Sequence, residues 1–200
     1  MLSRFVQLFA LLVAPLLVVP QTASSQVFVS GGAAWPLSPE STTNIYRSGY
    51  SFAGGVILEF GAFPFARVRP FGSFQRFRTD PGPFLDQFEN IDEVEGGEMP
   101  VIFAGVDLQF MHPFARFRPY LAPAIGLAVF SLDDITADGI TFNLQDESAG
   151  VGVGVGGGFA YEVTRNYQLF ADVQYVYVVL ESNDRTFVPV RVGIELAFDY

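Results

Sequence analysis

The residues that most often carry catalysis are scarce in this chain. It has one histidine, His112, and no cysteine. His112 lies beside Pro113 at a predicted short turn, far from any predicted loop that is rich in serine or acidic residues. Histidine is the commonest general base in enzymes, and here it has no such neighbours. We therefore predict that the protein has no catalytic residues and is not an enzyme.

Two motifs resemble ligand-binding loops but lack parts that the chemistry needs. Gly152–Gly157 has the glycine spacing of a dinucleotide-binding loop, with Asp172 at the distance of a ribose-binding acid, yet valine and glycine alternate in it as in a strand. Asp134–Gly139 resembles the first half of a calcium loop, but Thr136 and Gln145 stand where chelating acids are required. We predict no cofactor-binding and no metal-binding residues, although loose binding of divalent cations by acidic loops stays open.

Composition excludes several classes of protein. The net charge at neutral pH is −10, and all 11 basic residues are arginine. Such an acidic chain does not bind nucleic acid, which requires clustered positive charge. Without cysteine there are no disulfides, no thiolate metal sites and no lipid-attachment site of the lipoprotein kind.

The first residues have the three parts of a secretory signal. Arg4 precedes an apolar run from Phe5 to Val19, and small residues follow at Ala23 and Ser25. The run is too short and too interrupted to span a bilayer, which takes about 20 apolar residues. We predict a signal peptide over 1–25, removed on export, and one domain over 26–200.

Turn-forming residues divide that domain into eight segments of strand length. The predicted strands are 27–37, 50–62, 67–78, 100–111, 117–131, 148–161, 167–181 and 186–200. The connections are alternately long and short, and the long ones hold most of the acids. Long outer loops and short inner turns are typical of up-and-down barrels in outer membranes, with both termini on the periplasmic side.

The direction of alternation separates a membrane barrel from a soluble one. In the seventh strand, large apolar residues such as Leu169, Val173 and Tyr175 share one face, and Gln168 and Asp172 share the other. A soluble lipocalin-type barrel would have its charges outside and its large apolar groups inside. The reverse arrangement predicts an all-β, eight-stranded, closed antiparallel transmembrane barrel with lipid outside and a small, polar lumen.

Several charged residues fall on the predicted lumen face. These lumen charges are Glu59, Asp107, Asp172, Arg191 and Glu195, and Arg76 or Arg78 could join them. Unpaired buried charges are costly, so we expect a salt-bridged plug that fills the barrel. The alternative is a narrow polar path for ions, although eight strands enclose little more than their own side chains.

A heptapeptide occurs twice with one difference, Val68 against Phe117, as Pro64–Pro70 and as Pro113–Pro119, each at a predicted inner turn. Its arginines are Arg67, Arg69, Arg116 and Arg118. They could bind phospholipid phosphates at the inner surface of the outer membrane, or they could be ordinary turn charges at that end of the barrel. We favour turn charges, since each such arginine contributes only about 1 kcal/mol to membrane binding.

The second long connection interleaves large apolar residues with its acids. Disordered loops rarely hold so many large apolar groups, so this segment either offers a binding surface or packs on itself. The residues that we assign to a loop interaction site are Phe84, Phe88, Asp92, Glu93 and Glu95.

The final strand has an uninterrupted apolar face that ends in Phe198 and Tyr200. Together with the eight alternating strands and the Arg118-Pro-Tyr-Leu121 stretch, this ending resembles the small outer-membrane β-barrels of the OmpA and OmpX type. We expect no peptidoglycan-binding domain of the kind that follows the barrel in OmpA-type proteins. The resemblance implies insertion by the barrel assembly machinery, which reads the last strand. The corresponding residues are Val192, Ile194, Leu196, Phe198 and Tyr200.

We therefore predict an outer-membrane barrel of a Gram-negative cell, in contact with phospholipid and lipopolysaccharide. The favoured role is structural or surface-interacting, through acidic extracellular loops. The alternatives are a narrow channel for ions or small solutes and, less favoured, an outer-membrane enzyme.

Overall fold

The computed structural model describes residues 23–39, 43, 45–61, 63–80, 82, 94–112, 116–137, 140–142, 147–181 and 183–197. The described residues form eleven strands. They are β1 (Ala23–Ser38), β2 (Tyr46–Phe60), β3 (Ala66–Thr79), β4 (Val94–Gly96), β5 (Met99–Met111), β6 (Phe117–Ser131), β7 (Ile135–Ala137), β8 (Ile140–Phe142), β9 (Glu147–Thr164), β10 (Tyr167–Val179) and β11 (Arg185–Ala197). No described helix is long and apolar enough to cross a bilayer.

The eight long strands close into an antiparallel barrel, and the three short ones form a separate sheet. Around the barrel the order is β1-β11-β10-β9-β6-β5-β3-β2, with β1 paired to both β2 and β11. One end, which we name the turn end, carries the short connections 61–65, 112–116 and 165–166, the start of β1 and the end of β11. The other, the loop end, carries the connections 39–45, 80–98, 132–146 and 180–184.

The predicted fold class is confirmed, and the strand boundaries shift by a few residues. β2 begins at Tyr46 rather than residue 50, and β9 continues to Thr164 rather than 161. β1 begins at Ala23, within the segment that we predict to be removed, and the remainder of that signal peptide lies outside the described residues. The cleavage site stays a prediction.

Side chains alternate between the lumen and the outer face along every barrel strand, because the period of an extended chain is two. In β3, buried lumen residues occupy every odd position from Arg67 to Phe77. Ser73 and Gln75 lie among them, and Gln75 Nε2 donates to Ser73 Oγ at 3.0 Å. Ser73 Oγ donates in turn to the carbonyl of Phe103 at 3.1 Å, so these polar groups remain bonded within the barrel.

Three prolines coincide with gaps in the hydrogen-bond ladder. Val56 and Ile57 lack register partners opposite Pro70, and the β5–β6 ladder skips two pairs at Pro123. The β10–β11 ladder skips two pairs at Pro189 in the same way. Proline has no N–H to donate, which explains why each gap includes one. The register is unchanged across all three gaps, so the alternation of faces continues.

The glycines of β9 make room for large lumen side chains of the nearby strands β5 and β6. A Cβ atom on Gly152 would lie 2.8 Å from the ring of Phe103, and one on Gly158 would lie 2.9 Å from the ring and hydroxyl of Tyr120. Real Cβ atoms do not approach so closely, so these positions exclude every larger residue unless the barrel deforms. The glycine repeat of β9 is therefore a packing feature of a continuous strand.

We expect Gly158→Ala to destabilise the barrel by about 1 to 3 kcal/mol, because the added methyl would overlap Tyr120 and the backbone of Ala171. Urea unfolding of the refolded protein would measure the loss. The matched control is Gly72→Ala, since a Cβ at Gly72 would meet no atom within 4 Å. Equal stability of the two variants would contradict this packing.

Candidate functional site

The lumen has a polar half near the turn end. The structure places four of the predicted lumen charges there as buried side chains: Asp107 on β5, Asp172 on β10, and Arg191 and Glu195 on β11. Glu59, on β2, lies at the edge of this half with a side chain that is 32% exposed. Tyr120 and several glutamines fill the space around them.

Arg69 lies at the centre of this polar half. Its Nε donates to Asp107 Oδ2 at 2.8 Å, and its Nη2 lies 3.5 Å from Asp172 Oδ2. The guanidinium also lies over the ring of Phe28, 4.7 Å from the centroid. Such a cation–π contact is stronger in a desolvated site than in an exposed one. Arg191 Nε donates to the other oxygen of Asp172 at 3.0 Å. One arginine thus links two carboxylates that belong to different strands.

Arg67 forms a second ion-pair group closer to the turn end. Its Nε lies 2.6 Å from Glu59 Oε1, and its Nη1 donates to Glu195 Oε2 at 3.1 Å. Gln26 Nε2 also donates to Glu59 Oε1, at 3.2 Å. These contacts connect β1, β2, β3 and β11, so they close the barrel at the seam between its first and last strands.

Sequence reasoning missed Arg67 and Arg69 as lumen residues. We expected turn charges because both belong to the repeated heptapeptide, but β3 begins at Ala66 and carries both side chains inside. The signal that could have identified them is parity, since they share odd positions with Phe71 and Phe77. The expectation that Arg76 or Arg78 joins the lumen is wrong. Both occupy even positions of β3, on its outer face.

The polar half is tightly packed and incompletely bonded. Among the described residues, Arg69 Nη1, Asp107 Oδ1 and Glu195 Oε1 are buried without a hydrogen-bond partner. The space between Arg69, Tyr120 and Asp172 has no room for a water molecule. Buried ions in such surroundings depend on each other, since removal of one partner leaves a desolvated charge.

The loop-end half of the lumen is mainly apolar, with Ser51 and Gln75 as buried polar exceptions, which differs from the small polar lumen that the sequence predicts. Phe187 packs against Phe77, Phe103 and Phe130, with ring centroids 6.2, 6.5 and 6.4 Å apart. All four rings are at most 2% exposed. Arg185 covers this cluster, with its guanidinium 4.8 Å from the centroid of Phe130. We name these four phenylalanines the phenylalanine cluster.

Above the barrel, strands from two long connections pair into one sheet. β4 pairs with β7, and β7 pairs with β8. Gly97 N donates to the carbonyl of Asp134 at 2.9 Å, and Asp133 N donates to that of Glu98 at 3.0 Å. Arg76 reinforces the junction, because it forms ion pairs with both Glu98 and Asp133. We name β4, β7 and β8 the loop sheet.

A second ion pair at the loop end joins the base of β2 to the connection after β3. Arg47 Nε donates to Asp80 Oδ2 at 2.7 Å. This hydrogen bond holds the pKa of Asp80 below its usual value. The pair is exposed to solvent, so it adds little to stability.

Much of the predicted loop interaction site lies outside the described residues, namely Phe84, Phe88, Asp92 and Glu93. Glu95 belongs to β4, where its backbone pairs with Thr136. Among the predicted barrel-assembly residues, Val192, Ile194 and Leu196 alternate along β11 with the lumen residues. Phe198 and Tyr200 lie outside the described residues.

The ligand-binding motifs weighed in the sequence have other structures here. Gly152–Gly157 lies wholly within β9, which continues as strand to Thr164 without the helix that a dinucleotide site needs. Ile135–Ala137, in the calcium-like segment, is a strand of the loop sheet. No group of three or more metal-ligating residues occurs within the described ranges. His112 is exposed at the turn end.

We expect Arg69→Met to destabilise the protein by about 3 to 5 kcal/mol, because Asp107 and Asp172 would stay buried without their shared cation. Urea unfolding in lipid vesicles would measure the change. Adding Asp107→Asn to Arg69→Met should restore part of the stability, since Asp172 keeps its hydrogen bond from Arg191. The control Arg78→Met, at an exposed position of β3, should have little effect. An equal effect of both single variants would contradict a central role for Arg69.

Comparison with solved structures identifies the same fold elsewhere. Neisserial surface protein A superposes with a TM-score of 0.62 at 17% identity, over 88% of this chain and 99% of that one. A major outer membrane protein from Thermus thermophilus gives a TM-score of 0.56 at 14% identity, over 88% of this chain and all of that one. No family model matches the sequence, and no curated protein is significantly similar to it. The chain therefore has the fold of the small eight-stranded outer-membrane β-barrels.

Proposed function

We propose that this protein is an outer-membrane barrel with a structural or surface-interaction role and a closed lumen. The observation that carries this proposal is the filling of the lumen along its length. Buried ion pairs occupy the turn-end half, and the phenylalanine cluster occupies the loop-end half. An eight-stranded barrel has no further width in which a water-filled path could run beside these groups.

The outer face of the barrel supports a location in lipid. Large apolar residues are exposed around it on different strands, among them Phe52, Ile102, Ile125, Val153 and Val192. Such a surface is unfavourable in water and suits acyl chains. The partners that follow are phospholipid, lipopolysaccharide and, during insertion, the barrel assembly machinery acting on β11. The loop acids outside ion pairs would hold divalent cations loosely against lipopolysaccharide phosphates.

The loop sheet supports a surface role. Backbone pairing and the ion pairs of Arg76 connect the second and third long connections, so their described segments 94–98 and 132–137 are held in a fixed arrangement. Fixed loops on a rigid barrel are suited to recognition, because little ordering entropy is lost on binding. Catalysis has no comparable support. The one histidine lies at the turn end, away from this surface.

We expect the folded protein to give no conductance steps in planar lipid bilayers, since ion pairs fill one half of the lumen and the phenylalanine cluster fills the other. Single-channel recording checks this expectation, with an open porin in the same bilayer as the positive control. Phe103→Ala with Phe187→Ala should still not conduct, because the ion pairs of Arg69 and Arg67 remain. Regular conductance steps from the unsubstituted protein would favour the channel alternative and overturn the closed lumen.

We expect Gly97→Val to detach the loop sheet while the barrel stays folded. Gly97 has φ of +68°, and a Cβ there would lie 2.6 Å from Ile135 Cγ1. A branched residue in this conformation costs about 1 to 2 kcal/mol before any clash. Limited proteolysis of whole cells should cut the loops of the variant faster. The mobility shift on heating, which reports the folded barrel, should be unchanged.

The same variant tests the surface role. Cells that display the protein should adhere better, to each other or to cultured cells, than cells that display Gly97→Val. Gly61→Val is the matched control, since Gly61 lies at the turn end and a Cβ there would meet no atom within 4 Å. If the unsubstituted protein gives no more adhesion than cells without it, the interaction role fails and the structural role remains.

A further inference from the structure

The two copies of the repeated heptapeptide have different environments. In the first copy, Arg67 and Arg69 are buried in the lumen. In the second copy, Arg116 is exposed at the turn end, and Arg118 forms an ion pair with Glu162 on the neighbouring strand. The two arginines are therefore buried in one sector of the barrel, whereas in the other sector one is partly buried and one is exposed at the turn end.

Arg116 and Arg165 lie at neighbouring connections of the turn end. Arg116 precedes β6, and its carbonyl accepts a hydrogen bond from Glu162 N on β9 at 2.9 Å. Arg165 is in the two-residue turn that follows β9, and its side chain is also exposed. Within the described residues, neither makes an ion pair. Since Glu162 already pairs with Arg118, this sector carries a surplus of positive charge.

An aromatic belt on the same two strands fixes the level of these arginines. Phe117 and Phe159 stack on the outer face, with ring centroids 5.4 Å apart. Tyr161 lies opposite Phe117 in the register and is exposed on the same face. Aromatic side chains of membrane barrels collect at the headgroup level. Arg116 directly precedes Phe117 and Arg165 follows the last residue of β9, so both lie at the turn end just beyond the belt.

Other sectors of the molecule do not share this arrangement. The β2–β3 turn carries Phe63 and Phe65, exposed and in edge-to-face contact, and the arginine that corresponds to Arg116 is the buried, ion-paired Arg67. At the loop end, Arg47 and Arg76 are neutralised by Asp80, Glu98 and Asp133. The uncompensated cations among the described turn-end residues thus concentrate where β6, β9 and β10 meet.

We propose that Arg116 and Arg165 bind the phosphate groups of anionic phospholipid in the inner leaflet of the membrane. This proposal rests on the membrane location proposed above. A guanidinium group binds a phosphate through two parallel hydrogen bonds, and the rings of the adjacent aromatic belt contact the start of the acyl chains. The barrel therefore binds acidic lipid preferentially in this sector of its turn end.

The experiment uses tryptophan fluorescence and brominated lipids. One reporter is Phe117→Trp in a Trp35→Phe background, and the other is the natural Trp35 on β1 near the loop end. Each is refolded into phosphatidylcholine vesicles that contain brominated phosphatidylglycerol or brominated phosphatidylcholine. The ratio of quenching gives the local preference for the anionic lipid.

We expect a preference for phosphatidylglycerol at residue 117 and none at Trp35. Arg116→Gln or Arg165→Gln should reduce it about fivefold, and the double variant about thirtyfold. Arg78→Gln, an exposed arginine at the loop end, is the matched control and should leave it unchanged. High salt should weaken the preference, because exposed charges are screened.

Three outcomes would overturn the proposal: no preference at residue 117, the same preference at Trp35, or a preference that survives in the double variant. Inorganic phosphate at matched ionic strength should not compete, and competition would indicate a site for free phosphate instead. Absence of quenching by either brominated lipid at both reporters would show that the barrel is not in the bilayer. That result would contradict the proposed membrane location itself.

Discussion

The width of the lumen is the constraint on which the structure depends. Eight strands enclose a column about as wide as the side chains that point into it, so every inward residue must fit against inward residues of other strands. Glycine on β9 faces phenylalanine and tyrosine from β5 and β6, and arginine on β3 faces carboxylates from β5, β10 and β11. The interior is consequently a packed core whose two halves differ in chemistry.

The lumen divides into two halves because the inward residues of β3 and β11 change from charged at the turn end to aromatic at the loop end. β3 has arginine at its first odd positions and phenylalanine at its last. β11 begins with Phe187 inside and ends with Glu195 inside. Since neighbouring strands run in opposite directions, these gradients align at the same height only in the observed register. In this register, charged side chains contact opposite charges and aromatic rings contact aromatic rings, so a shift of one strand against its neighbour would lose these contacts.

Much of the barrel could be predicted from sequence because a period of two is a local property. The outward residues of β10 and β11 are recognisable in their own strands, without knowledge of any neighbour. Arg69 shows the limit, because its role depends on Asp107 and Asp172, which lie 38 and 103 residues further along the chain. The loop sheet depends likewise on pairing between two separate connections. The lumen phenylalanines could not be assigned from the sequence, because an apolar side chain suits either face of a strand when one face contacts lipid and the other contacts the core.

The phenylalanine cluster takes one ring from each of β3, β5, β6 and β11, and Arg67 reaches Glu195 across 128 residues of sequence. None of these contacts can exist in a curved sheet that has not yet closed. A partly inserted chain would therefore expose rings and charges along one concave surface and gain no core from them. Docking of the final strand converts that surface into an interior in a single step. The closed barrel and an open sheet of the same strands therefore differ in which side chains they present to their surroundings.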